Sequence, residues 1–261
     1  MELLALTTAE LGGYIGKFLW PFFRIAGFLM VAPVIGSQLV PARIRMIIAL
    51  MLTIIIVPVL PDMPDIEGLS MRAIFVIGQQ VLIGVALGFF MQLMFHTLVL
   101  AGQMIAMQMG LGFASMVDPS NGINVAVVST FYLLFITILF VSLDGHLTML
   151  KVIVDSFYSL PINTEFSFSN TSMLAIVGSI SWIFSSAMVI ALPALTALLI
   201  TNFAFGIMTR AAPQLNIFAL GFPVSLLFGI FLIWLTLPAV TNASINLFDE
   251  GFVRINQLIR P

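Results

Sequence analysis

The chain has 261 residues, of which 61% are hydrophobic and only 8% charged, and its formal charge is −2. Soluble domains run at roughly 45–50% apolar and about 25% charged, so an ordinary soluble fold is excluded. No basic cluster is present to meet a phosphate backbone, which excludes nucleic acid as a partner. The lack of cysteine removes disulfides, thiolate metal sites and cysteine nucleophiles. Several apolar runs reach the roughly 20 residues that a membrane helix needs, and the short alternating segments of a closed barrel are missing. Composition therefore predicts an all-α, polytopic, membrane-type protein.

The N-terminus carries Glu2 and Glu10 in place of a basic leader region, so the first apolar segment is expected to be retained. A first helix is predicted from about Leu11 to Ile35, with Pro21 inside it and Arg24 near its centre. An arginine at membrane depth faces protein or water, so Arg24 is expected to be buried in protein. Pro33, Gly36 and Pro41 punctuate a short loop. A second helix follows from about Arg43 to Leu60, then an acidic loop with Asp62, Asp65 and Glu67.

The third helix starts near Leu69 and stays helix-compatible to at least Leu100, longer than a bilayer requires. On a helical wheel Gln92, His96 and Gln103 fall within about 40° of one another, a polar face expected to be buried. Gly84 and Gly88 form a small-xxx-small pair suited to close helix contact. The next stretch, Gly102 to Pro119, mixes two glutamines, three glycines, a carboxylate and a proline with four methionines. Such backbone survives at membrane depth only where protein covers it or where it lines a cavity, so it reads as an internal loop. Gly110 and Gly112 supply turning freedom, and methionine suits a seal that must repack. Asp118, before Pro119, is pushed away from helical geometry. It serves either as a cap for the next helix or as a polar anchor for the loop, with Arg24 as a conceivable partner.

A fourth helix is predicted from about Ile123 to Leu143, closed by Asp144-Gly145-His146 in a capping role. The mildly amphipathic segment to Ser159 sets Leu147, Leu150, Ile153, Val154 and Phe157 against Lys151 and Asp155, the pattern of a helix lying along an interface. Residues 161–171 read as polar loop. A fifth helix covers about Ser172 to Met208, with a kink expected at Pro193. A sixth runs from beyond Pro213 to about Leu237, interrupted by Gly221 and Pro223, and leaves a moderately polar tail. Six crossings with the Arg43/Arg45 and Arg210 loops cytoplasmic would fit the loop charges.

Chemistry-bearing constellations are missing. His96 and His146 are the only histidines, and neither lies in a metalloprotease or nucleophile-elbow motif. No carboxylate sits in the middle of a predicted helix, which argues against an ion relay. The chain reads as non-enzymatic and without a cofactor.

Two stretches carry a resemblance. Residues 102–114, namely Gly102, Gln103, Met104, Ile105, Ala106, Met107, Gln108, Met109, Gly110, Leu111, Gly112, Phe113 and Ala114, together with Asp118-Pro119, resemble the central loop of the FliR/SctT family of type III secretion export-gate subunits. Arg210-Ala211-Ala212-Pro213-Gln214-Leu215-Asn216-Ile217-Phe218-Ala219-Leu220-Gly221-Phe222-Pro223 resembles the same family more specifically, and Leu192-Pro193-Ala194 with Asn202 fits too. The resemblance covers essentially the whole chain. It implies a core subunit of the closed pore of the flagellar export gate, assembled with FliP, FliQ, FlhB, FlhA and the basal-body ring in the bacterial inner membrane. Its cargo would be unfolded flagellar proteins, and its core could be displaced towards the periplasm. It further implies a FliP-like part, residues 1–171, with a plug loop at 102–120, and a FliQ-like hairpin and tail, residues 172–261. In that picture Arg210, Pro213, Gln214, Asn216, Gly221 and Pro223 form the hairpin turn and its packing. The injectisome counterpart is the alternative within the family, and a small-solute transporter is the alternative outside it.

Overall fold

The computed structural model describes residues 8–37, 40–61, 63–64, 70–111, 127–163, 170–211 and 217–259. Among these the secondary structure is helical throughout, and no strand occurs. Helix α1 is Thr8–Val31, α2 is Ala42–Ile56 with a 3₁₀ turn at Val57–Val59, and α3 is Met71–Gln108. Helix α4 is Val127–Ser142, α5 Gly145–Ser159, α6 Asn170–Ala211 and α7 Ile217–Ile259. Four of the described helices are long and apolar enough to cross a membrane, and α4 with α5 forms a further pair bent by 73°.

Two boundaries and one cap differ from the sequence reading. Helix α3, expected to reach at least Leu100, runs to Gln108, so residues 102–108 are its last two turns and not loop. Gln103 and Gln108 looked like loop residues because they are polar. Ordinary helix propensity suffices to keep them helical. The polar tail after Leu237 is not a separate segment either, since α7 continues through Pro223 and Pro238 to Ile259. Asp144 does not cap with its side chain. It adopts a left-handed φ of 55°, and its carbonyl oxygen accepts from the Leu147 and Thr148 amides, which turns the chain sharply from α4 into α5.

The chain forms two compact units. The first comprises residues 1–93, 144–177 and 251–261, and the second residues 94–143 and 178–250. In the first, α1 and the first half of α3 pack at glycines. A Cβ on Gly84 would fall on the Arg24 carbonyl oxygen, and one on Gly88 would lie 2.7 Å from that of Phe28. From the opposite side, a Cβ on Gly27 would lie 2.9 Å from the Val81 carbonyl oxygen. The predicted small-xxx-small pair therefore does bring two backbones together, as association without a hydrophobic driving force requires. Trp20, Ile25, Phe28, Leu29, Ile83, Leu87 and Phe157 fill the core around this contact.

Arg24 is buried in this unit, as expected. Its Nε donates to Gln80 Oε1 (2.7 Å), Nη1 to the Ser156 carbonyl oxygen (2.8 Å) and Nη2 to that of Leu160 (2.8 Å). Its guanidinium also lies 4.2 Å from the centre of the Phe157 ring. Helix α5 is thus a packed helix whose buried face is Met149, Val152, Ile153, Ser156 and Phe157, while Leu147 is exposed.

In the second unit, Phe95, Phe140 and Phe248 bring α3, α4 and α7 together, with ring centres 5.2–6.0 Å apart. Helix α4 approaches α3 closely where a Cβ on Gly102 would lie 2.8 Å from both Ser129 Cα and the Tyr132 ring. There Ser129 Oγ donates to Gln103 Oε1 at 3.1 Å.

Candidate functional site

The second unit contains a cavity of about 740 Å³ where the end of α3 meets α6 and α7. Met107, Gln108, Met109 and Gly110 line one wall. Asn202 and Phe205 of α6 and Phe222 and Ser225 of α7 line the others.

How α3 stops explains this wall. The last four carbonyls of a helix have no partner within it. Here the Met109 amide donates to the Ile105 oxygen (2.9 Å), the Leu111 amide to Ala106 (3.0 Å) and the Gly110 amide to Met107 (3.1 Å). The first continues the helix, and with Gly110 at φ +88° the other two are the six-to-one and five-to-two bonds of a Schellman motif, whose C′ position favours glycine. The fourth carbonyl, that of Gln108, accepts from Asn202 Nδ2 at 3.0 Å, 94 residues away in sequence. Ser225 Oγ in turn donates to Asn202 Oδ1 at 3.0 Å, which fixes the amide's orientation. One side-chain amide therefore ties three helices together.

Two apolar contacts accompany this pairing. Met109 is 1% exposed and occupies the notch left by Gly229 of α7, where a Cβ would come within 2.5 Å of Met109 Cγ. Gly110 lies so close to Phe222 that a Cβ on it would meet the ring at 3.0 Å. Met107 faces outward at 65% exposure.

The structure distributes the remaining sequence candidates as follows. Gly102 is buried against α4, Gln103 and Met104 are half-buried, and Leu111 closes the Schellman turn. Gly112, Phe113, Asp118, Pro119, Pro213, Gln214 and Asn216 lie outside the described residues. Arg210 and Pro223 are exposed, and Gly221 is buried beside the cavity. The expected buried polar face of α3 is corrected in part. Gln92 is half-buried and His96 exposed, so only Arg24 of that set is fully enclosed. A shared helical wheel position says that residues face the same way, but not that anything covers them.

Sequence reasoning attached Asn202 only to the family resemblance and passed over Ser129, Ser225 and Gly229. The signal available was slight: a lone amide in the apolar run of α6, which hydrocarbon would disfavour without a partner. Among the described residues no three His, Asp or Glu side chains gather as a metal site would need.

The family model for bacterial export proteins, family 1, matches residues 15–251. The chain is 37% identical over 257 residues to the flagellar biosynthetic protein FliR of Escherichia coli K12, covering 98% of both chains. It is likewise 37% identical over 250 residues to the FliR of Pectobacterium carotovorum, covering 96% of this chain and 95% of that one. With the FliR of Aquifex aeolicus it shares 29% over 231 residues, covering 88% and 89%. With its helical architecture, its apolar spans and this near full-length similarity, the chain belongs to family 1 of the bacterial export proteins and is a membrane-embedded component of the flagellar type III export apparatus.

Proposed function

We propose that the chain is a non-enzymatic core subunit of the export gate and that its central segment helps to close the pore through which unfolded flagellar proteins leave the cell. The observation that carries this reading is the end of α3. A methionine-rich, glycine-capped turn lies on the wall of a 740 Å³ cavity, within residues 102–120, the segment that resembles the family's plug. Methionine repacks easily around different shapes, which suits a seal that yields to varied cargo.

In this proposal residues 1–171 form the FliP-like part, and residues 172–261 form the FliQ-like hairpin and tail. FliP, FliQ, FlhB and FlhA are the partners, within the basal-body ring of the bacterial inner membrane. The long exposed apolar faces of α6 and α7, with Phe184, Leu192, Phe203, Leu227 and Trp234 among them, support burial against lipid and other subunits.

Deleting residues 107–112 in the full apparatus should make the membrane leak small ions, and an unchanged leak would overturn the closing role. Co-expression with the export-gate neighbours, gentle detergent extraction and native mass spectrometry should give a hetero-oligomer. A stable lone monomer would overturn the subunit assignment.

A further inference from the structure

We propose that Asn202 and Ser225 form a latch that holds the capped end of α3 against α6 and α7, and that opening it frees residues 107–111 as one preformed turn. Three of the four terminal carbonyls of α3 are bonded within the turn itself, from Ile105, Ala106 and Met107 to the amides of Met109, Leu111 and Gly110. These bonds travel with the turn wherever it goes. Only the Gln108 carbonyl depends on another helix, through Asn202 Nδ2.

An amide can make this bond only if its nitrogen, and not its oxygen, faces Gln108. Ser225 Oγ enforces that choice by donating to Asn202 Oδ1. Ser225 is 5% exposed, so bulk water does not readily replace it. The Met109 side chain in the Gly229 notch and Gly110 against the Phe222 ring are the remaining ties, apolar contacts with no directional requirement. The neighbouring cavity, about 740 Å³ and partly open to the surface, borders the turn from Met107 to Gly110. A rigid turn, a single directional bond and adjoining empty volume together make a two-position element. The latch stands on these bonds. Its effect on conduction rests on the pore-closing reading above.

The chain has no cysteine, so Met109→Cys gives a single thiol at a position that is 1% exposed in the parent; it shortens the contact with the Gly229 notch equally in every variant compared, so differences in rate report the Asn202 and Ser225 bonds. The measurement is maleimide labelling of that thiol in membranes containing the co-expressed export apparatus. Asn202→Ala should raise the labelling rate about fivefold, the size expected when one net hydrogen bond is lost from a closing equilibrium. Ser225→Ala should give a smaller rise, because the amide remains but loses its orientation. A Leu87→Cys thiol, buried in the other unit, should label at its parental rate in both variants.

Parental labelling of position 109 in both assembled variants would overturn the latch, as would an equal rise at position 87. If Asn202→Ala fails to assemble, Ser225→Ala decides alone. Ion leak measured in the same membranes separates the two ideas. Faster labelling without a leak keeps the latch and overturns the pore-closing reading.

Discussion

Arg24 Nη2 donates to the carbonyl oxygen of Leu160 at 2.8 Å, so a cation on α1 closes the C-terminal end of α5. A positive charge there complements the partial negative charge of the helix terminus. The other nitrogens hold Gln80 and Ser156, and Phe157 supplies a ring face, where an arginine is stabilised further. This one side chain joins α1, α3 and α5.

Replacing it should therefore be costly. Arg24→Met keeps the volume but leaves buried carbonyls without donors, and hydrogen bonds to charged groups are each worth roughly 1.5–3 kcal/mol. A loss of at least about 3 kcal/mol is expected, read as reduced accumulation and earlier thermal unfolding in detergent. Arg24→Lys should recover only part of it, because an ammonium cannot reproduce the planar fork. Equal stability of Arg24→Met and the parent would refute the capping role.

The glycines of α3 should divide sharply. Gly84→Val would push a side chain onto the backbone of α1 at Arg24 and Phe28 and should abolish accumulation. Gly78→Ala meets nothing within 4 Å and should be neutral or stabilising by up to about 1 kcal/mol through helix propensity. Comparing the two variants by membrane yield and melting temperature tests the assigned contact.

Gly110→Ala combines a positive φ with contact against Phe222. A left-handed conformation costs a residue with a Cβ about 1–2 kcal/mol. Gly110→Asn should be better tolerated than Gly110→Val, since asparagine visits this region more readily and a β-branched residue rarely does. Motility on soft agar, with expression held equal, should follow that order.

Met109 and Gly229 should be coupled. Gly229→Ala removes the notch, and Met109→Ala removes what fills it. Residues in contact commonly show interaction energies of about 0.5–3 kcal/mol, so the double variant should be more stable than the sum of the two single losses. Strict additivity in a thermal-unfolding cycle would contradict the packing described.

Much of the architecture was legible because composition and length alone demand membrane-type helices. Gly84 and Gly88 were legible too, since small residues four apart on an apolar helix have few other uses. His96 and the end of α3 were not. Where the outer face of a helix is as apolar as its inner face, as with Phe89 beside Phe90, hydrophobic periodicity no longer says which side is covered. Gln103 read both as part of the polar face of α3 and as the start of the internal stretch, and the bond to Ser129, 26 residues on, that fixes its place leaves no local trace. The role of Asn202 depends on a carbonyl 94 positions away, and local pattern carries no trace of such a bond.

Helix α6 is longer than a bilayer can hold at an ordinary tilt. The span Val177–Ala211 has 35 residues, about 52 Å of rise, whereas the hydrocarbon layer is roughly 30 Å thick and helices tilt by about 20° on average. Fitting it wholly inside would take a tilt of roughly 55°, beyond the usual range of about 0–40°. Yet large apolar side chains, from Phe184 to Ile207, are exposed along most of it. At the usual tilts lipid hydrocarbon can solvate only part of that stripe, and the neighbouring subunits proposed above would cover the rest. A chain synthesised in excess of its neighbours should thus be a substrate for membrane proteolysis, and its abundance should follow theirs.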